Sequence, residues 1–393
     1  MFDPKWRCGI RGISYLLFLH RIVGYPCIEN KRSCIEKVTQ ESRNSGPGKC
    51  SKVAPALPLT LRLYVLYAQY HCAESVTQIR VNEEASGAGE DRSAFEEARI
   101  VGSVPVRWTL YPSYMHSFGM THNYFIIVEQ PICVSAIKAA ACIIANDPPV
   151  KTFKWFEKEK TMFYVISRAF FYLHIINQYE EQGHIVIDIC CYKNPSMLDC
   201  MYFDALKNAS SNPNYAKMFR GRPLRYILPM GKIPTNKNTN LVKLPTARAT
   251  AFQQSKSTVS LFPELLSNIG CETPRINYDR CGGKKYRYFY AISSDVDLEN
   301  PGTLIKVDTV NRTRKLWCEP NVYPSEPVFV AAPNARREDD GVVLSALVWG
   351  GQYVNKVALL ILDATTWTEI ARSEFITHGP VPKCLHGWFI PSQ

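Results

Sequence analysis

A chain of 393 residues with 46% hydrophobic, 12% aromatic and 21% charged side chains can bury a large core, as one long globular domain or two shorter ones. No stretch supplies about 18 uninterrupted apolar residues, so no membrane-spanning helix is expected. The net charge of +11 comes from lysines and arginines scattered along the chain rather than gathered in a stripe, which argues against a nucleic-acid partner.

Residues 1–95 show no regular pattern and are left unassigned. The runs "KRSCIEKVTQESRNSGPGKCS" and "NEEASGAGEDRS" read as loop, and "LPLTLRLYVLYAQYHCA" between them fits strands or a short helix equally. The N-terminus "MFDPKWRCGIRG" lacks the basic and apolar regions of a secretion signal, and the 14 cysteines form no CxxC pair. Reduced thiols and a cytoplasmic location are the expectation; a zinc ribbon is not.

From about Phe95 the texture changes. "NYFIIVEQ", "HIVIDICCY", "RYILPM", "KYRYFYAIS", "PVFVAA" and "GVVLSALVWG" are rich in β-branched and aromatic residues and bounded by turn formers. "TLIKVDTVNRTRKLW" predicts a hairpin turning at "NRT", and "VALLILDATTWTEIARSEF" another turning after its aspartate. Recurring hairpins on a long all-β chain point to propeller blades more than to one sandwich. One segment interrupts this texture. "PICVSAIKAAACIIANDPP", Pro131 to Pro149, predicts a short helix ending before the paired prolines. It reads either as a helix buried on a sheet or as an interfacial helix, with Ile143 and Ile144 facing a bilayer and Trp155 and Phe156 in "KTFKWFEKEK" as its rim.

The eight histidines include no HxH or HExxH pair, so any metal site must be assembled from distant segments. Inner strands of successive blades would permit that. The stretches "YMHSFGMTHNYFIIVEQP", "YLHIINQYEEQGHIVIDICCYKN", "CETPRINYDRCGGKKYRYFYAI", "YPSEPVFV", "REDDGVVLSALV" and "LHGWF" resemble, in order, signatures of the carotenoid cleavage oxygenase family. The resemblance is to its animal branch, which includes the β-carotene oxygenases and the retinal pigment epithelium isomerohydrolase, and most of all to the arthropod carotenoid isomerooxygenases. It covers residues 96–393.

The resemblance implies a seven-bladed β-propeller, here incomplete at its N-terminus, with short helices capping one face. It implies one Fe(2+) per chain, held by His116, His174 and His386 as three of the family's four histidine ligands. Glu272 and Glu326 match the carboxylates that orient the last two. No counterpart of the first ligand is recognisable, since neither His20 nor His71 has the expected flanks. The implied activity is oxidative cleavage of a carotenoid by dioxygen to retinal-type aldehydes, with or without trans-to-cis isomerisation, in a protein peripherally associated with membranes. The alternative is a catalytically inactive carotenoid- or membrane-binding remnant.

Overall fold

The computed structural model describes residues 107–390 apart from Thr109, Met115, His122 and the stretches 164–169, 232–237 and 256–257. These all belong to the compact unit Ile100–Gln393. The unassigned segment 1–95, including His20 and His71, lies outside the described residues.

The architecture is mostly β, with a few short helices. A small hairpin pairs β1 (Gly119–Met120) with β2 (Phe125–Ile126), and β3 (Ile132–Val134) pairs with β4 (Phe153–Trp155) across helix α1 (Ala136–Ala145). The first large sheet contains β5 (Phe171–Glu181), β6 (His184–Tyr192) and β7 (Arg222–Pro229). Beside it β8 (Thr250–Ser255) and β9 (Thr258–Phe262) form a two-stranded ribbon, and β10 (Glu264–Leu265) completes the first sheet in the order β10-β7-β6-β5. The second is a meander of β11 (Glu272–Arg275), β12 (Tyr288–Ile292), β13 (Leu304–Asp308) and β14 (Thr313–Trp317). The third has β15 (Val322–Pro324), β16 (Val328–Ala331), β17 (Gly341–Trp349), β18 (Lys356–Asp363) and β19 (Glu369–Ile376), with both β15 and β16 on β17.

Local chemistry accounts for these elements. The apolar run of β6 is buried at every position, and flanking strands cover it on both edges. The β13–β14 hairpin turns where expected: one Asp308 carboxylate oxygen accepts the backbone N–H groups of Val310 and Asn311 at 3.0 and 2.9 Å. Helix α1 is capped by Ser135 and stops at Asn146, which takes the left-handed conformation (φ 53°) that halts a helix.

The large sheets match the expectation of blade-like antiparallel units. They are separate sheets among the described residues. Of the "NYFIIVEQ" strand only Phe125–Ile126 forms, and the neighbouring residues instead serve loop contacts around the site.

Candidate metal centre

Three of the five candidate side chains, His174, Glu272 and Glu326, sit where a strand loses its register. Between Tyr172 and Ile175 strand β5 carries one residue more than β6, and a second shift follows before Asn177. His174 lies in that first irregularity, the kind of bulge that re-aims a side chain out of ordinary alternation. Glu272 opens β11, where three steps to Arg275 oppose two steps from Ile292 to Tyr290 on β12. Thr273 inside this bulge has φ 47°, a strained value for a β-branched residue. Glu326 lies in the break between β15 and β16: Pro324 pairs with Leu347 and Val328 with Leu344, again one residue too many.

His116 is in a loop fastened to β5 where that bulge begins. The Tyr172 hydroxyl donates to the Ser117 carbonyl at 2.7 Å, the Ser117 hydroxyl donates to the Leu173 carbonyl, and the Gln130 amide bonds the main chain of both Tyr114 and Tyr172. His386 belongs to a coil segment near the C-terminus. The next residue, Gly387, has its N–H on a Glu326 carboxylate oxygen at 2.9 Å, and a Cβ there would come within 3.1 Å of Val328.

The three imidazoles are neighbours. The His174 ring stands edge-on to both others, with centroids 5.2 Å from His116 and 5.7 Å from His386. His174 Nδ1 donates to Glu272 at 2.6 Å, and His386 Nδ1 donates to Glu326 at 3.0 Å. These bonds leave Nε2 as the free lone pair of each ring, and both Nε2 atoms are buried without a hydrogen-bond partner. Buried polar nitrogens normally find one. Two unpartnered imidazole nitrogens beside a third ring are the donor type that a first-row divalent metal takes, so the donor chemistry suits the metal the sequence implied. The described side chains are not drawn together into a metal-binding group of three or more.

The carboxylates differ in their surroundings. Glu272 accepts the Tyr192 hydroxyl at 2.8 Å on its other oxygen and the Thr273 N–H at 2.9 Å. Glu326 is faced by the Arg275 guanidinium at 3.5 Å. Burial pushes the Glu326 carboxyl up, but the His386 bond, the Arg275 charge and the Gly387 N–H outweigh it and hold it below the usual carboxylate range. His116 has a different partner: its Nδ1 shares a 2.9 Å hydrogen bond with the Tyr114 hydroxyl. A phenol donates or accepts, so it does not fix the tautomer as a carboxylate does. Sequence reading missed Tyr114, Tyr192 and Arg275. For Tyr114 the Tyr-x-His spacing was the sole signal, and for the other two there was none.

The residues singled out as a membrane entrance divide. Ile144 is 88% exposed and Ile137 64% exposed on α1, where Cys142 is the buried position among the described side chains; the side chain of Ile143 lies outside the described residues. Trp155 is half-buried and packs with Phe153 and Tyr114 against the cluster of Ile132, Phe171 and Tyr192. Phe156 stacks on Trp108 at 4.9 Å, with Lys154 over its face at 4.7 Å. No described helix is long and apolar enough to cross a membrane.

Fold and site together define a mostly-β protein carrying a partly buried cluster of histidines, two of them backed by carboxylates. The chain belongs to the retinal pigment epithelial membrane protein family, whose profile matches residues 58–391. It is 44% identical over 374 residues to the carotenoid isomerooxygenase of Drosophila melanogaster, across 76% of this chain and 60% of that protein. With the carotenoid isomerooxygenase of Galleria mellonella it shares 46% identity over 318 residues, covering 77% and 58%. With the β,β-carotene 15,15′-dioxygenase of Gallus gallus it shares 36%, covering 77% and 59%. The crystal structure of the cobalt-substituted apocarotenoid oxygenase of Synechocystis has the same fold, at TM-score 0.53 and 21% identity over 71% of this chain and 53% of that one. The chain spans about three fifths of the length of the curated relatives it matches.

Proposed function

We propose that this chain carries the iron-binding part of a carotenoid oxygenase. The protein would hold one Fe(II) per chain and use dioxygen to cleave a carotenoid double bond into retinal-type aldehydes, alone or together with trans-to-cis isomerisation. The observation that carries this reading is the pair of buried, unpartnered Nε2 atoms on His174 and His386, each fixed from behind by a carboxylate. Relatives named as carotenoid isomerooxygenases and carotene dioxygenases supply the substrate class.

His174, His386 and His116 would hold the ion. Bound Fe(II) supplies the activation of dioxygen that an alkene cleavage requires. Glu272 and Glu326 keep the Nδ1 protons in place, so that Nε2 faces forward, and raise ring basicity. The Tyr192 hydroxyl holds the second Glu272 oxygen, which stops the carboxylate from swinging away. Tyr114 joins the imidazole cluster to an apolar group that continues through Phe153 to Trp155, and apolar surroundings of this kind suit a polyene substrate. The exposed isoleucines of α1 support peripheral contact with the membrane in which such a substrate dissolves.

The test is anaerobic loading of the purified chain with Fe(II), followed by incubation with a carotenoid in detergent micelles under oxygen. Stoichiometric iron and aldehyde products are expected. A chain that takes up no iron would sink the reading. An iron-loaded chain that yields no aldehyde would be a carotenoid-binding remnant instead.

A further inference from the structure

Building on the metal reading above, we infer that Arg275 positions His386, so that the single strand β11 supports two of the three imidazoles. Glu272 and Arg275 stand three residues apart, a separation that in a regular strand sends side chains to opposite faces. The bulge at Thr273 changes this. Glu272 pairs with Ile292 and Arg275 with Tyr290, two residues apart on β12, and directly opposed residues share a face. Both side chains therefore project on one side of the sheet. Glu272 takes His174, and Arg275 reaches the segment that carries His386.

That segment is held by side chains rather than by strand pairing. Residues 381–390 form no helix or strand, and all are exposed except His386 and Gly387. Arg275, buried itself, meets the segment with its whole guanidinium: one nitrogen donates to the Gly387 carbonyl, another faces Glu326 at 3.5 Å, and the Trp388 ring lies 5.8 Å from its centre. The same Glu326 oxygen accepts His386 Nδ1. Arg275 thus grips the main chain after the histidine and anchors the carboxylate that orients its ring. A planar fork can do both at once, and a lysine point charge cannot.

The experiment uses the full chain with Arg275→Gln and Arg275→Lys, and reads two quantities. Amide hydrogen exchange is measured on the metal-free proteins, and Fe(II) affinity by anaerobic titration. Exchange at Gly387 is expected to rise about ten-fold in both variants, the loss of one charge-assisted hydrogen bond, while β17 and β18 keep their protection. Fe(II) binding is expected to weaken about ten-fold, as for loss of a group supporting a metal ligand. Should Arg275→Gln lose the β17 and β18 protection as well, Arg275→Lys carries the test. Unmodified protection at His386–Trp388 in the variants would overturn the inference, even if the unmodified chain binds iron. Faster exchange at Gly387 when no protein binds iron would leave the positioning role standing and remove the metal reading alone.

Discussion

The histidines of the site are not equivalent, and their backing decides what each tolerates. His174 leans on a carboxylate locked by Tyr192 and by the Thr273 N–H, so removal of that carboxylate frees the imidazole to turn and to change tautomer. Glu272→Ala is expected to lower Fe(II) affinity about 10–100-fold, read by anaerobic titration. Affinity equal to that of the unmodified chain would exclude Glu272 as the orienting group. His116, with the Tyr114 phenol on Nδ1, receives less added basicity from that partner than a carboxylate would give. The histidines were legible in the sequence through the order of their flanking motifs. Their supports were less so, because Tyr192 and Arg275 act across space on residues that no spacing rule connects to them, and Tyr114 is marked only by standing two residues before His116.

At the scale of the element, legibility followed burial pattern. Strand β17 alternates between more and less buried positions through its centre, and β6 is apolar and buried throughout; each was bounded correctly because one simple period describes it. Strands β5, β11 and the β15–β16 break carry the site and are irregular there, so period-two reading finds the strand and misses the face. Helix α1 was also legible, from its Ala/Ile composition and the prolines beyond it, but composition left its outer face undecided. The structure exposes Ile137 and Ile144. Replacing both with Asp is expected to abolish most binding to liposomes with the circular dichroism spectrum unchanged, since each buried side chain of this size contributes about 1.5–3 kcal/mol to partition. Equal liposome binding before and after would remove the interfacial role.

Across the whole described unit, one buried charge network ties the first large sheet to the second. Asp188 on β6 holds Arg225 on β7 through two 2.8 Å bonds and accepts the Tyr286 hydroxyl at 2.5 Å. Glu264 on β10 lies 3.8 Å from Arg225 and 2.9 Å from Arg312, in the β13–β14 turn. Removing one partner would leave the others charged in a dry setting. Asp188→Ala is expected to destabilise the fold by about 3–5 kcal/mol, measured by urea denaturation; a loss below about 1 kcal/mol would mean that the network is solvated. The three register breaks have a further consequence, for how this chain can change in length. A strand's odd or even count decides which way every later side chain points, so one residue gained or lost beside Thr273 would send Glu272 and Arg275 to opposite faces and detach one histidine from its support. Insertions and deletions should therefore be tolerated in the outer turns, such as the β18–β19 connection, and be lethal to the site at 173–174, 273–274 and 325–327, even where every named residue is kept.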